Sequence, residues 1–209
     1  MSALPILYSF RRCPYAMRAR MALWVAGIAV ELREVKLAAK PPELIAASPK
    51  ATVPVLVIPG GNVIDQSLEI MRWALAQNDP EGWLAGDDTA LIAANDGPFK
   101  HHLDRAKYPT RYEADGIDHR AAALALLLPL EARLERAAHL CGPRRSLADI
   151  ALFPFIRQFA HSDPAWFAAQ PLPRLAAWLD AHCASELFAC VMPKFAPWRE
   201  GDVAMRFGP

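Results

Sequence analysis

Cys13 is the side chain in this sequence best suited to chemistry. It follows Arg11 and Arg12, precedes Pro14, and has Arg18 downstream. Pro14 suits the first turn of a helix, where its missing N–H is not needed, so Cys13 is predicted at a helix N-terminus. A thiolate there faces amide N–H groups without partners inside the helix, and the arginines add positive potential; both favour the charged, nucleophilic form. The second cysteine of a local redox pair would fall at position 16, which is Ala16. Cys13 therefore cannot close that disulfide. Its thiolate can instead attack an external disulfide and form a mixed one, which a second, small thiol then resolves. The plainer reading, a small buried hydrophobe, sits poorly with two arginines immediately before it.

Two further stretches can serve such a site. In Thr52-Val53-Pro54-Val55 a proline enters a strand, where it removes a ladder donor. If the Val53-Pro54 bond is cis, the turn offers the Val53 backbone for antiparallel pairing with an extended peptide that carries a thiol; a trans proline on a strand edge is the plain alternative. Asp65-Gln66-Ser67 stands where a helix is expected to begin, so the Ser67 hydroxyl and the local amides can hold a carboxylate, or simply cap the helix. A thiol peptide with free carboxylates, of which glutathione is the common example, meets these requirements.

These residues need a scaffold. Residues 4–9, LPILYS, read as a strand, and from Pro14 the apolar Met17, Met21, Trp24 and Val25 fall on one helical face. Gly27 is a suitable stop. A second strand fits 28–35, and VLVI at 55–58 pairs with NVI at 62–64 across Pro59-Gly60-Gly61. Asp65 or Ser67 is expected to cap the helix that follows. After the polar stretch 77–88 strand patterns nearly vanish, and helices are predicted at 89–106, 116–140, 147–160 and 173–183. The fold class is therefore α/β plus all-α, with a sheet-containing domain over 1–78 and a helical domain over 88–209.

With 54% hydrophobic and 22% charged residues, 209 residues suffice to bury a substantial core. The apolar run at 121–130 lies between Arg120 and Glu131, too short to span a bilayer, and no basic region precedes the N-terminal apolar run. A cytoplasmic protein with no membrane partner is expected. A formal charge of +1, with no basic run interleaved with aromatics, argues against nucleic acid as a partner. Cysteines 13, 141, 183 and 190 follow no disulfide framework.

The segments RRCPYAMRARMALWVAGI, KPPELIAASPKATVPVL and NVIDQSLEI together resemble the cytosolic glutathione transferase superfamily, in particular its cysteine-containing omega-like branch and related bacterial members. The resemblance extends over nearly the whole chain. It implies a thioredoxin-like N-terminal domain and an all-helical C-terminal domain. It further implies that Cys13 forms mixed disulfides with glutathione as thiol cosubstrate, that Val53 before cis-Pro54 pairs with the cysteinyl backbone, that Lys40 approaches the glycyl carboxylate, and that Gln66 and Ser67 hold the γ-glutamyl end. Phe99, His102, Lys107 and Tyr108 would border the acceptor site, and a two-fold homodimer is expected.

In the second half, Ser146 and Asp149 have the spacing of a capping box and are assigned to stability. The adjacent His101 and His102 point about 100° apart on a helix and make no metal face by themselves, while His119 and His139 lack partner spacing; Cys183 and Cys190 lack two further ligands. No metal is expected. Three functions follow: thiol transfer and reduction on mixed disulfides or oxidised small acceptors such as dehydroascorbate, or removal of glutathione from an S-conjugated ketone or quinone; conjugation or isomerisation of an electrophile by activated glutathione, with Tyr8 or Ser9 as activator; and glutathione binding without turnover. Loss of disulfide reduction on replacing Cys13 separates the first from the others.

Overall fold

The computed structural model describes residues 3–209. Their backbone divides into two units, one comprising the chain up to Gly82 together with Ser185–Pro209, the other Trp83–Ala184.

The first unit begins with β1 (Ile6–Ser9), α1 (Pro14–Val25), β2 (Val30–Glu34), α2 (Pro42–Ala47), β3 (Val55–Val57), β4 (Val63–Ile64) and α3 (Ser67–Gln77). It ends with α10 (Glu186–Val191) and β5 (Arg206–Phe207). The sheet order is β4-β3-β1-β2-β5, with β1 and β2 parallel and the other pairs antiparallel. Val30, Leu32 and Glu34 of β2 are buried while Glu31 and Arg33 between them are only partly so, the two-residue alternation of a strand. The buried side chains Tyr8, Val35, Leu44 and Val55 form one apolar cluster. Helix α1 packs against α3 and is buried almost all round, Arg18 and Arg20 included, rather than along the single apolar face predicted. The C-terminal segment does not continue the helical domain drawn to residue 209: Trp198 N–H donates to the Glu34 carbonyl at 2.8 Å, Phe207 pairs with Val30, and the Phe207 ring meets Trp24 edge-on. It closes the free edge of β2, as exposed sheet edges require.

The second unit holds a 3-10 turn at Trp83–Gly86, then α4 (Thr89–Ala94), α5 (Lys100–Lys107), α6 (His119–Leu134), α7 (Leu147–Ala160), α8 (Pro164–Ala168) and α9 (Pro173–Cys183). A π-helical turn at Asn95–Phe99 joins α4 to α5. The helix expected over 116–140 is shorter at both ends. Gly116 has φ 74°, Asp118 caps the amides of Arg120 and Ala121, and beyond Leu134 the chain turns through a bridge between His139 and Gly142. Among the described residues, no helix is long and apolar enough to cross a membrane.

Helix α7 is the core of this unit, buried from Leu147 through Ile156. Its N-terminus carries the capping box: Asp149 N–H donates to Ser146 Oγ, and Ser146 N–H donates to Asp149 Oδ2 at 2.9 Å. The Asp149 carboxylate also accepts from the Ser146 hydroxyl, from Leu140 N–H and from Trp178 Nε1. Burial pushes this carboxyl up, yet the nearby His139 ring and the bonds from Leu140, Ser146 and Trp178 outweigh that and hold it below the ordinary range. His182, also buried, is pushed down to about 4 by desolvation and is neutral near pH 7. Close packing continues at Gly86, where an added Cβ would fall 2.4 Å from Ser146 Cβ and 3.0 Å from Cys141 Cβ.

Candidate active site

Cys13 occupies the N-cap position of α1 in extended conformation and makes no side-chain cap bond. Its carbonyl accepts from Met17 N–H at 2.9 Å and its own N–H donates to the Phe10 carbonyl at 3.0 Å, which fixes the residue between β1 and α1. The thiol Sγ donates to the Val53 carbonyl at 3.6 Å. Val53 precedes Pro54 through a cis peptide bond. Cys13, Lys40, Val53, Pro54, Gln66 and Ser67 line one cavity of about 450 Å³, within the range of small-molecule pockets. Tyr15, Leu37, Ala51, Thr52 and Asp65 complete its wall; sequence reasoning reached Asp65 in the helix-start motif and Thr52 in the stretch before Pro54, and passed over the other three. Leu37 lies in a loop that carries no pattern of its own. Tyr15 follows from Cys13 only once the helix start is known.

The polar groups around the pocket are tied down from beneath. Ser67 lies in the first turn of α3 and accepts from Arg18 Nε at 3.0 Å, and the Arg18 guanidinium also lies 5.1 Å from the centre of the Tyr15 ring. Gln66 is the N-cap of α3 and makes no side-chain cap bond. Asp65 does not cap either: its carboxylate takes the Ser48 hydroxyl at 2.8 Å and the Lys50 ammonium at 2.9 Å, and these bonds hold it below the usual carboxylate range. The start of α3 thus has no side-chain cap from Gln66 while Gln66 and Ser67 line the cavity, and a helix N-terminus so placed suits a carboxylate.

Positive charge reaches Cys13 from a residue the sequence reading passed over. Arg12 is exposed, its guanidinium 5.6 Å from the Phe10 ring centre, and Arg11 N–H donates to Glu34 Oε1 at 2.7 Å. Arg20, 1% exposed, donates to the carbonyls of Arg11 at 2.8 Å, Phe10 at 3.4 Å and Val191 at 3.1 Å, and to Ser9 Oγ at 2.5 Å. Burial lowers its guanidinium to about 10, and attraction to Glu34 and Cys13 works against that fall. It remains charged at neutral pH beneath the loop that presents the thiol. Its position, two turns along α1 from Cys13, was the available signal. Glu34 moves up through burial, opposed by its bond from Arg11 and the nearby Arg20.

Tyr8 and Ser9 stand outside the cavity wall. The Ser9 hydroxyl faces Arg20, and Tyr8, 3% exposed, accepts from Arg33 Nη1 at 2.9 Å; desolvation drives the Tyr8 phenol upward against the pull of Arg33. The four residues named for an acceptor site, Phe99 just before α5, His102 and Lys107 within it and Tyr108 just after it, lie in the second unit. Phe99 is 3% exposed and packs edge-on to Phe159; a period-3.6 pattern cannot show which apolar residue is enclosed. His102 Nδ1 lies 2.8 Å from His119 Nδ1, and burial, then His101, His119 and Arg105, push its imidazole down. The Lys107 ammonium and the Arg111 guanidinium lie 5.4 Å and 4.1 Å from the centre of the Tyr108 ring.

A pattern described as glutathione S-transferase, N-terminal domain, matches residues 12–77, and one described as glutathione S-transferase, C-terminal domain, matches 63–181. This chain belongs to the glutathione S-transferase family. A probable glutathione transferase from Aplysia californica is 33% identical over 95 residues, which is 46% of this chain and all of the relative. The fold is shared with a glutathione transferase family member from Pseudomonas fluorescens solved with two glutathiones bound, at TM-score 0.75 and 20% identity over 90% of this chain and 92% of that one. Glutathione transferase Omega 3C from Trametes versicolor aligns at TM-score 0.74 and 20% identity, covering 94% and 92%.

Proposed function

We propose that this protein is a glutathione-dependent thiol transferase and reductase of the cysteine-containing, omega-like kind, working on mixed disulfides or oxidised small acceptors. The observation that carries the reading is the Cys13 thiol at the N-cap of α1, 3.6 Å from the Val53 carbonyl and in one cavity with Lys40, Gln66 and Ser67. Glutathione fits this set by charge. The Lys40 ammonium attracts its glycyl carboxylate, the first turn of α3 at Ser67 receives its γ-glutamyl carboxylate, Gln66 accepts from its ammonium, and the Val53 backbone pairs with its cysteinyl residue. This alignment brings the two sulfurs together.

The Cys13 thiolate attacks the glutathionyl sulfur of a mixed disulfide. The Cys13–glutathione bond forms as the substrate's S–S bond breaks, and the departing thiolate takes a proton from solvent. A second glutathione, deprotonated, attacks the glutathionyl sulfur of the adduct, which yields glutathione disulfide and returns the Cys13 thiolate. The net change is one mixed disulfide and one glutathione thiol giving the free product thiol and glutathione disulfide, so the product sulfur is reduced as one glutathione sulfur is oxidised. The helix N-terminus and buried Arg20 favour the thiolate at the start and end of the cycle. Activation of glutathione by Tyr8 or Ser9 receives less support, because both hydroxyls face arginines, the part-buried Arg33 and the buried Arg20, outside the cavity wall. A homodimer in the cytoplasm is the setting that the family suggests.

The test is glutathione-dependent reduction of the mixed disulfide of glutathione and 2-mercaptoethanol by the native chain and by Cys13→Ala, with glutathione affinity measured by calorimetry in both. Reduction disappears in the variant while glutathione still binds. Unchanged reduction in Cys13→Ala, or a native chain that conjugates an aryl halide yet reduces no disulfide, overturns the assignment.

A further inference from the structure

A second cluster of chemistry-bearing side chains lies within the helical unit. His101 and His102 lie on α5, and the loop that follows returns His119, the first residue of α6, onto them. The three imidazoles crowd together, with ring centres 4.9 Å apart for His101 and His102, 5.1 Å for His102 and His119, and 5.8 Å for His101 and His119. Each offers one ring nitrogen within 4.8 Å of those of the other two. Linear spacing hides this, because His119 is delivered by a loop and not by the helix that carries the other two.

The surroundings set the direction of the lone pairs. His119 Nε2 lies 3.1 Å from Asp115 Oδ1, and Asp115 is itself fixed by a bond from Ile117 N–H at 3.1 Å. A carboxylate accepting the Nε2 proton leaves the His119 lone pair on Nδ1, which faces His102 Nδ1 at 2.8 Å. Two imidazole nitrogens directed at each other need either a proton or a metal between them. A carboxylate behind the ring is the usual outer support of a metal-bound histidine. On the third ring, His101 Nδ1 accepts from Arg105 Nη1 at 3.0 Å, and that guanidinium also stacks 4.4 Å over Tyr112, which can hold it once the ion takes its place. A cavity of about 300 Å³, walled in part by Arg105, Tyr112, Asp115 and His119, gives access from solvent and room for water in the remaining coordination positions.

We propose that His101, His102 and His119 form a three-imidazole site for a divalent transition metal of the zinc class, with Asp115 as the residue that positions His119. Three neutral nitrogen ligands suit zinc, cobalt, nickel or copper and disfavour magnesium or calcium, which prefer oxygen. The other histidine group, His139 and His182 with Asp149, is a poorer site, because both Asp149 oxygens already accept structural bonds from Leu140, Ser146 and Trp178.

The full chain, stripped with a chelator and desalted, is titrated with zinc against a chromophoric competitor, and separately with cobalt(II) while its visible absorption is followed. The native chain binds one equivalent and gives the cobalt spectrum of a nitrogen-ligated ion. His102→Gln and His119→Gln, checked for folding by circular dichroism, each lose affinity by about a hundredfold or more, and Asp115→Asn loses about tenfold while keeping the cobalt spectrum. His139→Gln binds as the native chain does. Zinc affinity that is unchanged in folded His119→Gln, that is lost instead in His139→Gln, or that is absent from the native chain at millimolar zinc overturns the proposal and leaves the cluster a hydrogen-bonded one.

Discussion

Replacing Asp149 with Asn tests how the helical unit is held together. In the native chain Oδ1 accepts from Leu140 N–H and Trp178 Nε1, both at 2.9 Å, while Oδ2 accepts from Ser146 N–H at 2.9 Å and from the Ser146 hydroxyl at 2.5 Å. Asn has the same shape but turns one acceptor into a donor. Its oxygen can serve Leu140 and Trp178, leaving the new NH2 against Ser146. The hydroxyl can rotate to accept; the Ser146 amide cannot, and it becomes an unpartnered buried donor worth about 1–3 kcal/mol. The surviving bonds also lose the strength a charged acceptor gives them. The net loss is about 3 kcal/mol, which for a chain of this size lowers the melting temperature by roughly 6–12 °C. Urea unfolding followed by tryptophan fluorescence reads the change as a lower midpoint at an unchanged slope. The Asp149 carboxyl is held below its unfolded value of about 3.9, so its contribution is fully present above that value and lost as pH falls through the lower, folded one. The gap between native chain and variant therefore closes below about pH 4. A loss under about 1 kcal/mol at neutral pH, or a gap that stays constant into acid, would refute this account of the carboxylate.

Arg20→Met keeps the bulk of a buried side chain but removes the donors to the Arg11 and Val191 carbonyls. It lowers stability by about 3 kcal/mol and slows alkylation of Cys13 by iodoacetamide at neutral pH, measured by mass spectrometry against the native chain. Gly86→Ala must move Ser146 off the α7 N-terminus to make room for its Cβ, at a cost of about 1–3 kcal/mol in chemical denaturation.

What the sequence made legible was local. A proline after a cysteine marks a helix start, alternating apolar residues mark β2, and Ser146 with Asp149 marks a cap; each is decided by neighbours a few residues away. Helix ends were less accurate where a turn residue outweighed the apolar pattern, as at Gly116 and Asp118 ahead of α6. The start of α3 differed for another reason: Ser48 and Lys50, distant in sequence, claim the Asp65 carboxylate. That Arg18 and Arg20 are buried escaped notice because long cations are seldom enclosed; Ser67 and Tyr15 hold Arg18, and Ser9 with the carbonyls of Phe10, Arg11 and Val191 holds Arg20. The family's two domain patterns were readable from the Cys13, Pro54 and Gln66 segments together, whereas the return of Trp198 and Phe207 to the sheet carried no signal in the tail.

That return has a consequence for how the molecule is made. A ribosome releases β1 to α3 first, then the whole helical unit, and β5 after both. Until Arg206 and Phe207 emerge, β2 presents bare amides and carbonyls along one side, and the Trp24 ring lacks its Phe207 partner. The sheet that presents Cys13 is thus completed from the far end of the chain. During synthesis its open side is a place where two nascent copies can pair strand to strand before either is finished.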